Sequence, residues 1–347
     1  MNKVNNDDSN KTKDNKNIES EKFDLYIGGG GIRSGFAAGV ICALYHKGMH
    51  HNINKLICSS AGAYIGAYLL ADIPIIGTIG YWKGLAPRVN EHRKISWPTI
   101  NIKKTVNEFL FHYNKIDLNK VINSEYNKKG NYIITCLNAE SGKHIYLSHF
   151  KSIDILLQAF YGSSHIPVFA GIKPYLIEKK YLKQCRIFDE NFNEIFPEFL
   201  EVFDGTTSNF FTEKNNISSR SQLQIRIINH NLFRNHIKSL PLPAPIEKII
   251  AHLLFKKYPN ATRVYTSYHT VSYSKQVLKN IIKVSSRAKV QFIYHHNICS
   301  ISVFKARNCT YVQKIIQQDV LDGWNLFYEE MGIKPEPYPK EWENEFV

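Results

Sequence analysis

The sequence has no apolar stretch of membrane-spanning length free of charge or proline. The longest, Ala63 to Gly80, is interrupted by Asp72 and Pro74, which favours a buried helix followed by a loop over a membrane span. The six cysteines (Cys42, Cys58, Cys136, Cys185, Cys299 and Cys309) contain no CxxC pair, so neither a zinc site nor a disulfide framework is suggested. The His-His pairs at 50–51 and 295–296 point to opposite faces if they lie on strands, and no further spacing completes a metal site. No GKS or GKT is present, and neither glycine frame near residue 28 closes a G-x-G-x-x-G. The stretch from Lys47 to Lys55 offers no carboxylate for a ribose. A nucleotide cofactor is therefore not expected, and nothing else implies a cofactor or a metal. Zinc-finger spacing, an aromatic base-stacking signature and a helix-turn-helix pattern are all lacking, so no nucleic-acid partner is expected.

Residues 1–22 are almost all Asn, Lys, Asp, Ser and Glu, with five lysines against five acids. Such a segment buries too little to order itself and reads as a disordered polar tail. It has no apolar core or cleavage site for a secretory signal and too little arginine for a transit peptide. With the scattered cysteines, the expectation is an intracellular, cytoplasmic chain with reduced thiols. An apolar fraction of 44% over 347 residues suits one large α/β domain with a C-terminal extension, or two small domains.

Three stretches carry the chemistry. Phe23-Asp-Leu-Tyr-Ile27 reads as a buried strand, followed by Gly28-Gly-Gly-Gly-Ile-Arg-Ser-Gly35 and a helical run to Tyr45. Glycines at a helix N-terminus leave main-chain N–H groups uncovered, which builds a site for an anion or oxyanion. In the second, Leu56-Ile57 enters Cys58-Ser59-Ser60-Ala61-Gly62, and an Ala/Leu/Ile-rich helical run leaves it. Strand, tight turn and helix is the setting in which a serine is held on a strained elbow with its hydroxyl presented. In the third, the alternating strand Phe199–Val202–Asp204 delivers a carboxylate to a turn at Gly205. In chain order these are an oxyanion donor loop, a serine and a carboxylate base.

In these residues the chain resembles the patatin-like phospholipase family. Gly29-Gly30-Gly31-Ile32-Arg33 is similar to the family's Gly-Gly-Gly-x-Arg/Lys loop, and Ser60-Ala-Gly-Ala to its nucleophile elbow. Asp204-Gly205 is similar to its Asp-Gly-Gly/Ala motif, and Gly162-Ser-Ser-His-Ile-Pro167-Val-Phe to the segment between them. The resemblance covers about residues 23 to 210. It departs from the family pattern at Cys58 (the elbow Gly), Ser34 (the Gly after Arg/Lys) and Thr206. The first two are close-packing positions, where a larger side chain brings local strain.

The resemblance implies a three-layer α/β/α patatin-like domain with a mainly parallel central sheet, to which the charge distribution adds a basic C-terminal extension. It also implies a phospholipase A-type acyl hydrolase working through a Ser–Asp dyad. Ser60 is then the nucleophile and Asp204 the base, with Gly29, Gly30, Gly31, Ile32 and Arg33 around the oxyanion. The expected division is a disordered tail at 1–22, a catalytic core at 23–215, a basic part of the same domain or an extension at 216–332, and a loose acidic tail at 333–347. Two alternatives stay open. One is a Ser-Asp-His esterase using His230, His269 or His295. The other is a lipid- or protein-binding module whose elbow has drifted.

Charge is the other informative feature. From Arg220 to Lys314 there are 16 Lys/Arg and one acid, Glu247, while the last 33 residues carry two Lys against eight acids. For a lipid hydrolase such a block suits docking on an anionic membrane surface. Trp82 and Trp97 are candidate aromatics for the rim of the site. Further on, a helix is expected at Lys275 to Lys289, strands at Val290 to His295 and Ile298 to Phe304, and a last helix from about Tyr311 to Met331.

Overall fold

Two of the three chemical stretches sit where parallel strands end. A computed structural model describes residues 22–85, 101–167, 170–171, 173–205, 222–226, 253, 256–261, 290–294 and 309–339. Among these, nine strands form one sheet: β1 (Phe23–Ile27), β2 (Ile53–Ser59), β3 (Tyr132–Asn138), β4 (His144–Ser148), β5 (Tyr175–Glu178), β6 (Arg186–Phe188), β7 (Phe199–Asp204), β8 (Gln222–Arg226) and β9 (Val290–Tyr294). The run β3-β2-β1-β8-β9 is parallel throughout, and β4, β5, β6 and β7 add antiparallel pairs at one side. The fold is α/β with a mainly parallel central sheet.

The period-two alternation of strands divides the core. Leu25 and Ile27 of β1, Leu56 and Cys58 of β2, and Ile134 and Cys136 of β3 join one large apolar cluster. Tyr26, Ile57, Ile133 and Tyr146 face the other way, with Phe188 and Phe192 against them. The large cluster is completed by helices α1 (Gly35–His46), α2 (Ala61–Leu70), α3 (Pro74–Ile79), α4 (Ile153–Ser163) and α5 (Cys309–Glu330). Helix α1 is made largely of Ala, Gly and other apolar residues and is buried over most of its length; it ends at Gly48, whose φ of 69° closes the helix in the left-handed conformation.

Helix α5 is amphipathic, with Val312, Ile316, Val320, Trp324 and Phe327 buried at three- and four-residue spacing. It lies almost backbone to backbone on α1. A Cβ on Gly39 would stand 2.0 Å from the Val320 carbonyl oxygen, and one on Gly323 would stand 2.1 Å from that of Phe36. Beyond α5 a loose acidic tail is expected from composition, yet residues 333–339 are fastened down. Trp324 Nε1 donates to the Glu336 carbonyl at 2.7 Å, and the Glu336 carboxylate pairs with Lys47 and with His46. Residues 340–347 lie outside the described ones.

The apolar run from Ala63 does end where expected. Asp72, at φ 63°, takes a hydrogen bond from the Tyr45 hydroxyl at 2.5 Å, and the helix stops before it. A second helix, α3, then begins with Pro74 at its first position, where a loop is expected. No helix among the described residues is long and apolar enough to cross a membrane. Strands β5, β6 and β8 are not anticipated by the sequence pattern, whereas β9 and α5 fall close to their expected ranges. The expected helix at 275–289 and strand at 298–304, most of the basic block, the 1–21 tail, Trp97 and the Trp82 side chain lie outside the described residues.

Three histidines with depressed pKa values should make the fold acid-sensitive. Burial lowers His144 to about 4, and it also lowers His50 and His165 from the ordinary 6.5. A group with a depressed folded pKa binds its proton more readily in the unfolded chain. Its contribution is therefore complete above pH 6.5 and is lost as the pH falls towards 4. For His144 alone the loss is on the order of 2–3 kcal/mol. Urea midpoints measured between pH 7 and pH 4.5 should fall for the native chain, and visibly less for His144→Phe. Equal slopes would show that the buried imidazole does not set this dependence.

Candidate active site

Sheet register brings Ser60 and Asp204 together. Strand β2 pairs with β3 as far as Ser59 opposite Thr135. Strand β4 covers the other edge of β3 from Ile133 to Leu137, so β7 takes the edge that β2 vacates, with Asp204 opposite Cys136. Strands β2 and β7 thus meet nearly head-on along adjacent rungs of β3, with Ser60 at one tip and Asp204 at the other. The Ser60 hydroxyl donates to Asp204 Oδ2 at 2.6 Å. Both side chains are buried, at 3% and 1% exposure, where a hydrogen bond to a carboxylate is strong.

Ser60 has φ 51° and ψ −130°, a conformation that a side-chain-bearing residue rarely adopts. This is the strained strand-to-helix turn expected at the elbow. Two glycines let neighbouring chain come close. A Cβ on Gly62 would stand 2.3 Å from the Ile27 carbonyl oxygen, so α2 backs directly onto the end of β1 where the glycine loop begins. A Cβ on Gly205 would stand 2.3 Å from the Thr135 carbonyl oxygen, so the residue after Asp204 must be glycine for a packing reason, beyond any turn preference.

The glycine loop passes from Ile27 through Gly28–Gly30 into a single turn, Gly31–Ser34, and then into α1, with Gly31 at φ 54°. The opening N–H groups of such a turn have no acceptors within the helix, and the α1 dipole adds positive potential there. Ser34 is fully buried at the start of α1. The side chains of Ile32 and Arg33 lie outside the described residues, as do Thr206 and the alternative bases His230, His269 and His295. Among the described histidines, His165 lies beside the pair. Its carbonyl takes the Asp204 N–H at 3.0 Å, while its ring Nε2 bonds to the Lys173 carbonyl at 2.9 Å.

Cys58 sits where the elbow glycine is expected, and the structure explains how it fits. Its Sγ lies 2.7 Å from where a Cβ on Gly66 would be, so the thiol fills the space that Gly66 leaves open one turn along α2. Burial pushes the thiol well above its ordinary pKa, so Cys58 stays protonated and does not compete as a nucleophile. Restoring glycine is therefore expected to harm the fold. Cys58→Gly should destabilise by about 1–2 kcal/mol through the vacated space and the freer backbone. Labelling of Ser60 by an active-serine probe should stay near the native rate. Thermal melting alongside a labelling time course checks both, and a higher melting temperature would contradict the account.

Tyr64, one helical turn after Ser60, walls the site with Phe160 and Phe109 in edge-on contacts at 5.2 and 6.1 Å. Its hydroxyl bonds to Ser164, and burial together with the Asp204 charge holds its pKa above the ordinary value. Ser163 is a contact that sequence reasoning missed. Its Oγ accepts the Ser60 main-chain N–H at 2.8 Å and donates to the Thr135 carbonyl at 2.7 Å. The only sequence signal was its membership of the Gly162-Ser-Ser-His-Ile-Pro167 segment.

No family model matches the chain, and no curated protein matches it in sequence. Six chains of known structure match it. One of them, VipD from Legionella pneumophila, aligns with a TM-score of 0.41 and 12% identity over 90% of this chain and 67% of its own.

Proposed function

We propose that this chain is a lipid acyl hydrolase in which Ser60 attacks a carboxylic ester and Asp204 handles the proton. The observation that carries the reading is the 2.6 Å hydrogen bond from the Ser60 hydroxyl to Asp204, made from a serine strained at φ 51°. A carboxylate in direct contact can serve as the base without an intervening imidazole.

Asp204 takes the Ser60 proton as Oγ bonds to the ester carbonyl carbon. The carbonyl oxygen, now negative, is held by main-chain N–H groups of the glycine loop at Gly30, Gly31 and Ile32, with Gly29 shaping the loop and Arg33 adding charge. The carbon–oxygen bond to the alcohol then breaks. The alcohol leaves with the proton from Asp204, and the acyl group stays on Ser60. Water next gives a proton to Asp204 as it attacks the acyl carbon. Collapse of this second intermediate releases the fatty acid and returns the proton to Ser60.

The resemblance to patatin-like phospholipases supports phospholipid as the substrate class. The 16 Lys/Arg between residues 220 and 314 support docking on an anionic lipid surface. Ser60 is only 3% exposed, so turnover of a small soluble ester alone is a poor gauge of the activity. Activity should therefore be measured on lipid vesicles as well as on soluble esters.

The deciding experiment is fluorophosphonate labelling of the folded chain with and without vesicles containing phosphatidylserine, combined with mapping of the modified residue. Labelling at Ser60, with fatty acid released from vesicle phospholipid, is the expected result. Well-folded protein that binds the vesicles yet neither labels nor releases fatty acid would sink the enzymatic reading in favour of a lipid-binding module.

A further inference from the structure

We infer that Ser163 is a positioning residue that sets the reach between Ser60 and Asp204. The inference rests on the reading of those two as nucleophile and base. Ser163 closes α4, and from there it reaches Ser60 and the residue that follows Asp204. Its Oγ takes the Ser60 N–H at 2.8 Å, and its carbonyl takes the Gly205 N–H at 3.3 Å, immediately after Asp204. The carbonyl of His165, two residues on, takes the Asp204 N–H itself at 3.0 Å. One short stretch of chain therefore holds the serine and the aspartate by their main chains.

The hydroxyl is suited to this role because its orientation is determined. Its single proton goes to the Thr135 carbonyl at 2.7 Å, which leaves a lone pair facing the Ser60 N–H. Thr135 is fixed in turn, because its Oγ1 donates to the Cys58 carbonyl at 3.2 Å. The Thr135 carbonyl also abuts Gly205, where no Cβ fits. Ser163, Thr135, Cys58 and Gly205 thus brace the tips of β2 and β7 against β3. Ser163 is the residue in that brace whose side chain bonds to the nucleophile.

The bond bears on the chemistry in two ways. A non-glycine residue at positive φ persists only where its surroundings over-determine it, and the Ser60 N–H bond to Ser163 is part of that determination. The same bond occupies the Ser60 N–H. The oxyanion must then be stabilised by other donors, which places that task on the glycine loop. Loss of the Ser163 hydroxyl strands a buried N–H and lets the elbow relax, which lengthens the reach from Ser60 Oγ to Asp204.

The test compares the native chain with Ser163→Ala and Ser163→Thr, reading the rate and the half-saturating concentration of fluorophosphonate labelling and hydrogen exchange at the Ser60 amide. Folded Ser163→Ala should label at saturation about 100-fold more slowly with an unchanged half-saturating concentration, and Ser163→Thr, which keeps the hydroxyl, should recover to within about tenfold of native. The Ser60 amide should exchange slowly in the native chain and faster in Ser163→Ala. Native protein that does not label at Ser60 overturns the dyad reading and the inference with it. Native labelling with an equal saturating rate in folded Ser163→Ala overturns the positioning role alone. If neither variant folds, the native chain decides: rapid exchange at the Ser60 amide overturns the inference and slow exchange supports it.

Discussion

Ser60→Ala is expected to remove covalent labelling by a fluorophosphonate altogether, and Asp204→Asn to slow it by about 10²- to 10⁴-fold. The two losses differ in kind. Alanine has no oxygen to form the bond, so nothing remains to be measured. Asparagine keeps nearly the shape of Asp204 and an oxygen that accepts the Ser60 hydroxyl, but it does not take the proton on. The Asp204→Asn loss thus isolates proton transfer from positioning. Both substitutions are close in size to the native side chains, so the melting temperature should move by only a few degrees. Labelling that persists in Ser60→Ala would place the nucleophile elsewhere; Ser59, the preceding residue on β2, is the first to test. A native-like rate in Asp204→Asn would mean that another group takes the proton, and would direct attention to His230, His269 and His295.

Gly62→Ala should have a large effect for a single added methyl. The new Cβ would lie 2.3 Å from the Ile27 carbonyl oxygen and 2.8 Å from that of Gly28. Both are main-chain atoms at the junction of β1 and the glycine loop, so neither can swing aside as a side chain would. Helix α2 must therefore back away from β1. Overpacking of this kind costs about 1–3 kcal/mol. The functional cost should be larger, because retreat of α2 carries Ser60 away from both Asp204 and the glycine loop. A shift near 1 Å at reacting groups lowers rates by about 100-fold. Chemical denaturation and labelling rates measured on the same preparation separate the two. Loss of stability at a native labelling rate would show that the elbow and the glycine loop are not coupled through this contact.

The candidate site was legible to different degrees along the chain. Ser60 and the glycine loop were readable because each sits at a local change of pattern, an apolar strand running into small residues and then into a helix. Asp204 was readable as the end of an alternating strand, although Gly205 after it looked like ordinary turn chemistry. The requirement for glycine at 205 comes from the Thr135 carbonyl, roughly 70 residues away in sequence, which no local pattern encodes. Cys58 looked like a defect at the elbow for the same reason, since the space that accepts its thiol is opened by Gly66 on the next helix. Ser163 carried no signal of its own, because a serine near a helix end is ordinarily a cap.

The α/β class, the order of loop, serine and carboxylate, and the amphipathic last helix follow from the amino-acid order alone. Each is written in short-range periodicity or in glycine placement, and the hydrophobic effect acts on such patterns wherever they fall. That β7 runs antiparallel into the edge vacated by β2 is instead a result of packing. That is a choice of register and direction, made by β4 occupying the other edge of β3, and it brings Ser60 and Asp204, 144 residues apart, to 2.6 Å. Likewise, composition suggested a loose chain after residue 333, whereas Trp324, Lys47 and His46 hold Glu336 in place. Partners distant in sequence leave no mark on local composition, so contacts of this kind emerge only once the helices and the sheet have packed.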